Sequence, residues 1–243
     1  MFATVGRAFF DVVRAARAMP LLALAAVIVG ALYALAHWVF RLPASDSALT
    51  EQTLLLQFAV DVARAILIAP VLIAVFRFIV MNKVTRGYAL DVGHPRVRRF
   101  CAWLIVLAML TLASSLTTQI SGIEGGLSTA VDLLLIVAAF GVVVALALLF
   151  PAIAVDAPGA SLRNAMADLR GSFWRAVGVL CLITLPVLVL FFIVLIGAEA
   201  VAEIDAIQLV GWIPVLCWEL LWTAAASRLF LALAERLRSP VSR

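Results

Sequence analysis

Four ionisable residues stand inside apolar stretches of this 243-residue chain, where a charge is costly: Asp61, Arg64, Asp132 and Glu219. On insertion scales such a group at the centre of a bilayer costs about 3 kcal/mol, which makes each one a candidate for handling ions or protons. At the helical rise per residue, Asp61 and Asp132 sit about 8 to 10 Å in from the outer end of their stretches, and Arg64 and Glu219 about 15 to 18 Å. Matched depths permit pairing. We expect Arg64 to face the interior of a helix bundle, bonded to Asp61 one turn away and to Glu219 on another helix, with Asp132 nearby. A cluster of this kind either orders the helices as a structural ion pair or lines a pathway for a solute or proton. A third alternative leaves Asp61 and Arg64 outside the hydrocarbon, with the membrane portion starting near Ala65.

Other chemistry lacks its residues. Serine proteolysis within a membrane needs a Ser in a GxS context and a His base from another helix. Gly126, Leu127 and Ser128 meet that pattern only trivially, and the two histidines are His37 at an outer helix end and His94 in a loop. Paired catalytic aspartates would have to be Asp61 and Asp132. HExxH, CxxC, the P-loop lysine and GxGxxG are all absent. Two distant histidines make no conventional zinc site, so we expect no metal, no cofactor and no catalytic residue. Cys101, Cys181 and Cys217 are odd in number and fall in or at the ends of apolar segments, which reads as small buried hydrophobes.

The elements that would position the four charges follow from composition. Hydrophobic residues make up 66% of the chain and charged ones 13%, with a mean hydropathy of +1.18. Soluble domains hold roughly 45 to 50% apolar residues, and a helix needs roughly 20 of them to cross a bilayer. Six stretches qualify, at about 21–40, 54–81, 100–119, 127–155, 173–197 and 207–233, with Pro70, Pro186 and Pro214 inside three of them. The fold class is therefore an all-α polytopic transmembrane bundle, one domain over 1–243.

Before the first span, residues 2–18 put Phe2, Val5, Phe9, Val12, Val13 and Ala16 on one helical face and Arg7, Asp11 and Arg14 on another, the pattern of a helix lying in the membrane interface. Residues 161–170 repeat it, with Leu162, Ala165, Met166 and Leu169 against Arg163, Asn164, Asp168 and Arg170. Gly171 ends that helix and Ser172 can cap the next. No secretory signal is expected, because residues 1–19 lack a continuous apolar core and run into a full span. The connection 82–99 is polar, basic and broken by Gly87, Gly93 and Pro95. Short turns at 43–47 and 121–126 and an acidic loop with Glu199, Glu203 and Asp205 lie opposite.

Lys and Arg favour the cytoplasmic side of short loops. One side would hold Arg7, Arg14, Arg17, Lys83, Arg86, Arg96, Arg98, Arg99, Arg163, Arg170, Arg175, Arg228, Arg236, Arg238 and Arg243; the other holds Arg41 alone. This asymmetry predicts both termini inside. Arg77 and Arg228, near the cytoplasmic ends, can snorkel. The basic residues on the amphipathic segments suit anionic lipid headgroups, and their scatter beside spans argues against nucleic acid. Three polar segments beginning near 5, 84 and 160 each lead into a two-span hairpin, a faint repeat that alternating topology also produces. Trp38 and Trp212 read as an outer aromatic belt, Trp103 and Trp174 as an inner one, and Trp218 with Trp222 as a packing face. Small residues at 141–147 would allow a homo-oligomer or a membrane-protein partner. Seventeen arginines against one lysine suggest a GC-rich bacterial source.

Two stretches, Ala69–Met81 (APVLIAVFRFIVM) with Arg99 and Phe100 beyond the polar loop, and Phe150–Trp174 (FPAIAVDAPGASLRNAMADLRGSFW), resemble those of uncharacterised bacterial multi-span proteins. These are akin to the membrane domain appended to some glycerophosphoryl diester phosphodiesterases. The catalytic domain of those enzymes has no counterpart here, so the resemblance carries over no catalytic residue. The expected function is that of a non-catalytic inner-membrane bundle that scaffolds or associates with lipid or a partner; the alternative is a small transporter or channel built on Asp61, Arg64, Asp132 and Glu219.

Overall fold

Proline, glycine and left-handed Asn or Asp residues set most element boundaries. The computed structural model describes residues 1–40, 42, 51–120, 126–200 and 211–238, and every regular element among them is a helix. Helix α1 (Phe2–Ala18) ends at Met19, and Pro20 opens α2 (Pro20–Val39) at the position where a missing N–H is harmless. Helix α3 (Glu51–Met81) continues through Pro70 and stops at Asn82, whose φ of 53° is left-handed. Helix α4 (Pro95–Ile120) is followed by α5 (Gly126–Ala154). Asp156, at φ 55°, terminates α5, and the Ala157 N–H donates to the Ala152 carbonyl at 2.8 Å. In α6 (Leu162–Leu169) the Ser161 hydroxyl accepts from the Asn164 N–H, and Gly171 at φ 82° turns the chain into α7 (Phe173–Ala200). Helices α8 (Trp212–Leu233) and α9 (Glu235–Arg238) close the described chain.

Two boundaries differ from the sequence reading. The connection expected over 82–99 ends earlier, because Pro95 preorganises a helix start and His94 Nδ1 accepts the Arg96 N–H at 3.2 Å. Arg96, Arg98 and Arg99 therefore ride on the first turn of α4. Pro214 does not interrupt the last helix: it lies in the first turn of α8, where no intrahelical bond is lost. Arg41, the turns at 43–47 and 121–125, Glu203, Asp205, residues 207–210 and Arg243 lie outside the described residues.

Among the described residues, four helical stretches are long and apolar enough to cross a membrane: Pro20–Val39, Gln52–Met81, Phe173–Val194 and Trp212–Leu233. A shorter apolar run, Ala139–Ala154, belongs to α5.

Helix α8 is the hub, in contact with α1, α2, α3, α5 and α7. Its segment Thr223, Ala224, Ala225, Ala226 and Ser227 is buried, and small side chains let backbones approach closely. The two hydroxyls donate to carbonyls one turn back, Thr223 to Glu219 at 2.7 Å and Ser227 to Thr223 at 2.8 Å, so neither is left unpaired. Around this segment pack Ile68–Phe78 of α3 and Val144–Ala154 of α5. A run of rings ties four helices together: Phe76 to Phe100 at 6.0 Å, Phe100 to Phe150 at 4.6 Å, and Phe150 to Trp222 at 5.9 Å between centroids. The 82–94 connection is pinned back on α3, where Tyr88 donates to the Leu67 carbonyl at 2.8 Å, more than three turns before the helix ends.

The basic, amphipathic 161–170 segment is held by tertiary contacts as well as by its own helix. Ala165 and Leu169 are buried. Asp168 accepts the backbone N–H groups of Arg236 and Leu237, and the Gly159 N–H donates to the Leu237 carbonyl. A Cβ on Gly159 would collide with the backbone carbonyl of Arg236, which cannot swing aside as a side chain can. Gly159→Ala should therefore cost about 1 to 3 kcal/mol, as overpacking does. Unfolding of detergent-solubilised protein measures this, and an unshifted transition would show that the C-terminal clamp is loose.

Candidate functional site

The C-terminal half of α2 and the N-terminal half of α3 carry polar residues at helical spacing on facing sides. On α2, Tyr33 and His37 are one turn apart; on α3, Gln57, Asp61 and Arg64 follow at steps of four and three. Glu219 projects from the first half of α8 into the same region. Arg64 Nη2 lies 2.8 Å from Glu219 Oε2, with both side chains 17% exposed. That oxygen makes no well-angled hydrogen bond, so the contact is a Coulombic pair rather than a fork. The Arg64 guanidinium also stands over the Tyr33 ring, 4.7 Å from its centroid. Tyr33 in turn donates its hydroxyl to Asp61 Oδ1 at 3.0 Å, and its ring packs at a tilt of 57° on that of His37, 4.4 Å between centroids.

The structure thus brings Arg64 and Glu219 together across two helices, as their depths suggested. The bond expected between Arg64 and Asp61 along one helix gives way to one between Asp61 and Tyr33, because a neighbouring helix supplies a phenol at the right height. Asp132 lies on α5, but its side chain is outside the described residues. The sequence reading placed His37 only at an outer helix end and assigned neither Tyr33 nor Gln57 to the cluster. The i, i+4 match of Tyr33 and His37 to Asp61 and Arg64 was a usable signal, but only once α2 and α3 are known to face one another. His37 Nε2 and Gln57 Oε1 are buried with no hydrogen-bond partner among the described residues, as is Arg77 Nε at the other end of α3.

A second polar contact involves α1. Arg228 of α8 donates from Nε to Asp11 Oδ2 at 2.6 Å and from Nη2 to Asp11 Oδ1 at 2.8 Å, a bidentate pair with Asp11 only 6% exposed. Asp11 therefore faces the bundle, between Ala8 and Ala15, instead of sharing a face with Arg7 and Arg14 as its spacing suggested. Arg14 donates to Asn82 at 2.8 Å and lies over Phe78.

Of the remaining basic residues, Arg7, Arg17, Lys83, Arg86, Arg98, Arg99, Arg163, Arg170 and Arg175 are exposed, and Arg96 is paired with Asp156 through Nε and Nη2. The Arg96 guanidinium holds the Asp156 carboxyl below its ordinary value. Trp218 donates to Thr184 at 3.2 Å and Trp222 packs on Phe150, as a packing face would. The Trp212 ring packs against Gly30 of α2. Cys101 is buried, Cys181 exposed and Cys217 half-buried, all unpaired. No group of three or more metal-ligating side chains occurs among the described residues.

These features define an all-helical protein with four helices apolar enough to cross a membrane and internal charges paired between helices. No family model matches the chain, and neither a curated protein nor a solved structure is significantly similar to it.

Two outcomes follow from the pairs. Arg64→Ala leaves Glu219 buried without its cation and should cost about 3 kcal/mol or more, whereas Arg64→Met combined with Glu219→Leu should recover most of that loss. A double-mutant cycle by reversible unfolding in detergent reads this, and a stable single variant would mean that water reaches Glu219. For Asp156 the folded carboxyl is the stronger acid. Its contribution is complete above the ordinary carboxylate value, near 4, and fades as pH falls through the lower folded value. The side chain is 54% exposed, so the effect is under about 1 kcal/mol. Asp156→Asn should lower stability slightly at pH 7 and leave it unchanged at pH 2.

Proposed function

We propose that the chain is an integral membrane bundle of six spans with both termini on the cytoplasmic side of a bacterial inner membrane. On this reading it has no catalytic activity and acts as a structural or scaffolding protein that associates with lipid or with a protein partner. Four apolar helices support the membrane reading directly. Helices α4 and α5, of 26 and 29 residues, reach about 39 and 44 Å at the helical rise, long enough to supply the other two spans. The likeness to the membrane domain of glycerophosphoryl diester phosphodiesterases belongs to the same proposal.

The observation that carries the non-catalytic reading is what the internal polar groups are bonded to. Arg64 is engaged by Glu219, Asp61 by Tyr33 and Asp11 by Arg228, each across a helix interface. Contacts of that kind order helices.

One observation favours the second reading, a small transporter or channel: His37 Nε2 and Gln57 Oε1 lie buried and unpaired on the elements that carry the cluster. Such atoms are costly in a membrane unless something satisfies them.

Reporter fusions at residues 3, 88, 166 and 238 should all report the cytoplasmic side, and one at residue 46 the opposite side; a mixed pattern would overturn the six-span topology. Proton or solute flux into liposomes should be at background for both the wild-type protein and Arg64→Ala. Flux that the wild type supports and the variant lacks would replace the scaffold with a pathway.

A further inference from the structure

Resting on the membrane reading above, we propose that α1 is a binding surface for anionic phospholipid, held at the bundle edge by the Asp11–Arg228 pair. The helix presents three sectors rather than the two of a simple amphipathic helix. Ala8, Asp11 and Ala15, at steps of three and four, are buried against the bundle. Phe2, Phe9 and Val13 form a second sector that the described residues leave exposed, at 80%, 36% and 49%. Arg7, Phe10, Arg14 and Arg17 form the third, again at steps of three and four, and Phe10 is 80% exposed among the arginines.

The structure changes the charge of this surface. Asp11 is the only acid on α1, and its carboxylate is turned inward and neutralised by both arms of the Arg228 guanidinium. What α1 shows outward is therefore cationic and apolar with no acidic counterweight. Exposed phenylalanines beside arginines match the acyl boundary and the phosphate layer of one leaflet, and the charge complements anionic headgroups in preference to zwitterionic ones. The same pair fixes the orientation, because a helix free to roll about its axis would place Asp11 beside the phosphates.

The test reconstitutes the full chain in nanodiscs of phosphatidylcholine alone or of phosphatidylcholine with a quarter phosphatidylglycerol, and measures amide hydrogen exchange over residues 2–18. Exchange should be slower in the anionic discs by roughly tenfold, from about fivefold per exposed arginine less screening. The double variant Arg7→Gln with Arg17→Gln should lose the difference between the discs while keeping the slower exchange of the folded helix. Asp11→Asn should speed exchange in both discs. Inorganic phosphate added to the neutral discs should leave exchange unchanged. Equal exchange of the wild type in both discs, a difference that survives the arginine double variant, or protection reproduced by free phosphate would each overturn the proposal. Failure of the topology reads separately: impermeant labelling of Ala3→Cys would then report the outer side while the exchange difference persisted.

Discussion

Helix α8 can be touched by five other helices only because residues 223–227 are Thr, Ala, Ala, Ala and Ser. On the membrane reading proposed above, lipid removes the hydrophobic drive for apolar helices to associate, so close packing and interhelical polar contacts hold the bundle. The small residues bring backbones near enough for the Phe76, Phe100, Phe150 and Trp222 rings to interlock around them. The same closeness brings Glu219, one turn earlier on α8, within reach of Arg64. Leucines at 224–226 would push the neighbouring helices apart and leave both charges without partners.

Three of the internal pairs are made between helices rather than along one. Arg64 meets Glu219, Asp61 meets Tyr33, and Asp11 meets Arg228. Each long-range pair specifies which helices are neighbours and at what height, which apolar contacts specify only loosely. At the opposite end of α3 the same logic governs the loops. Tyr88 fastens the 82–94 connection to Leu67, Arg96 fastens the start of α4 to the end of α5, and Asp168 fastens α6 to the C-terminal segment. The amphipathic segments are thereby parts of the packed structure with one face left over, not detached helices.

Much of the architecture was legible in the residues. Apolar runs located the helices, Gly171 marked the turn after α6, and the depths of Arg64 and Glu219 anticipated their meeting. What was misread shares one cause. Pro95 was taken for a loop residue when it opens α4, Asp11 was placed on one face with Arg7 and Arg14 when it is buried, and Asp61 was assigned to Arg64 when Tyr33 takes it. Each depends on what stands across the gap, and periodicity along one helix carries no information about the facing side chain.

The sequence by itself determined that the chain is helical and far more apolar than an ordinary soluble domain, because hydropathy and segment length are properties of single helices. It also determined which few polar residues stand inside apolar stretches, where an unpaired polar group is costly. Only the tertiary structure decided who those partners are. Pairing is a matter of rotation and height between helices, set by where small residues on α8 let its neighbours come close, and it is this packing that turns Asp11 inward and leaves α1 with a basic and apolar outer surface.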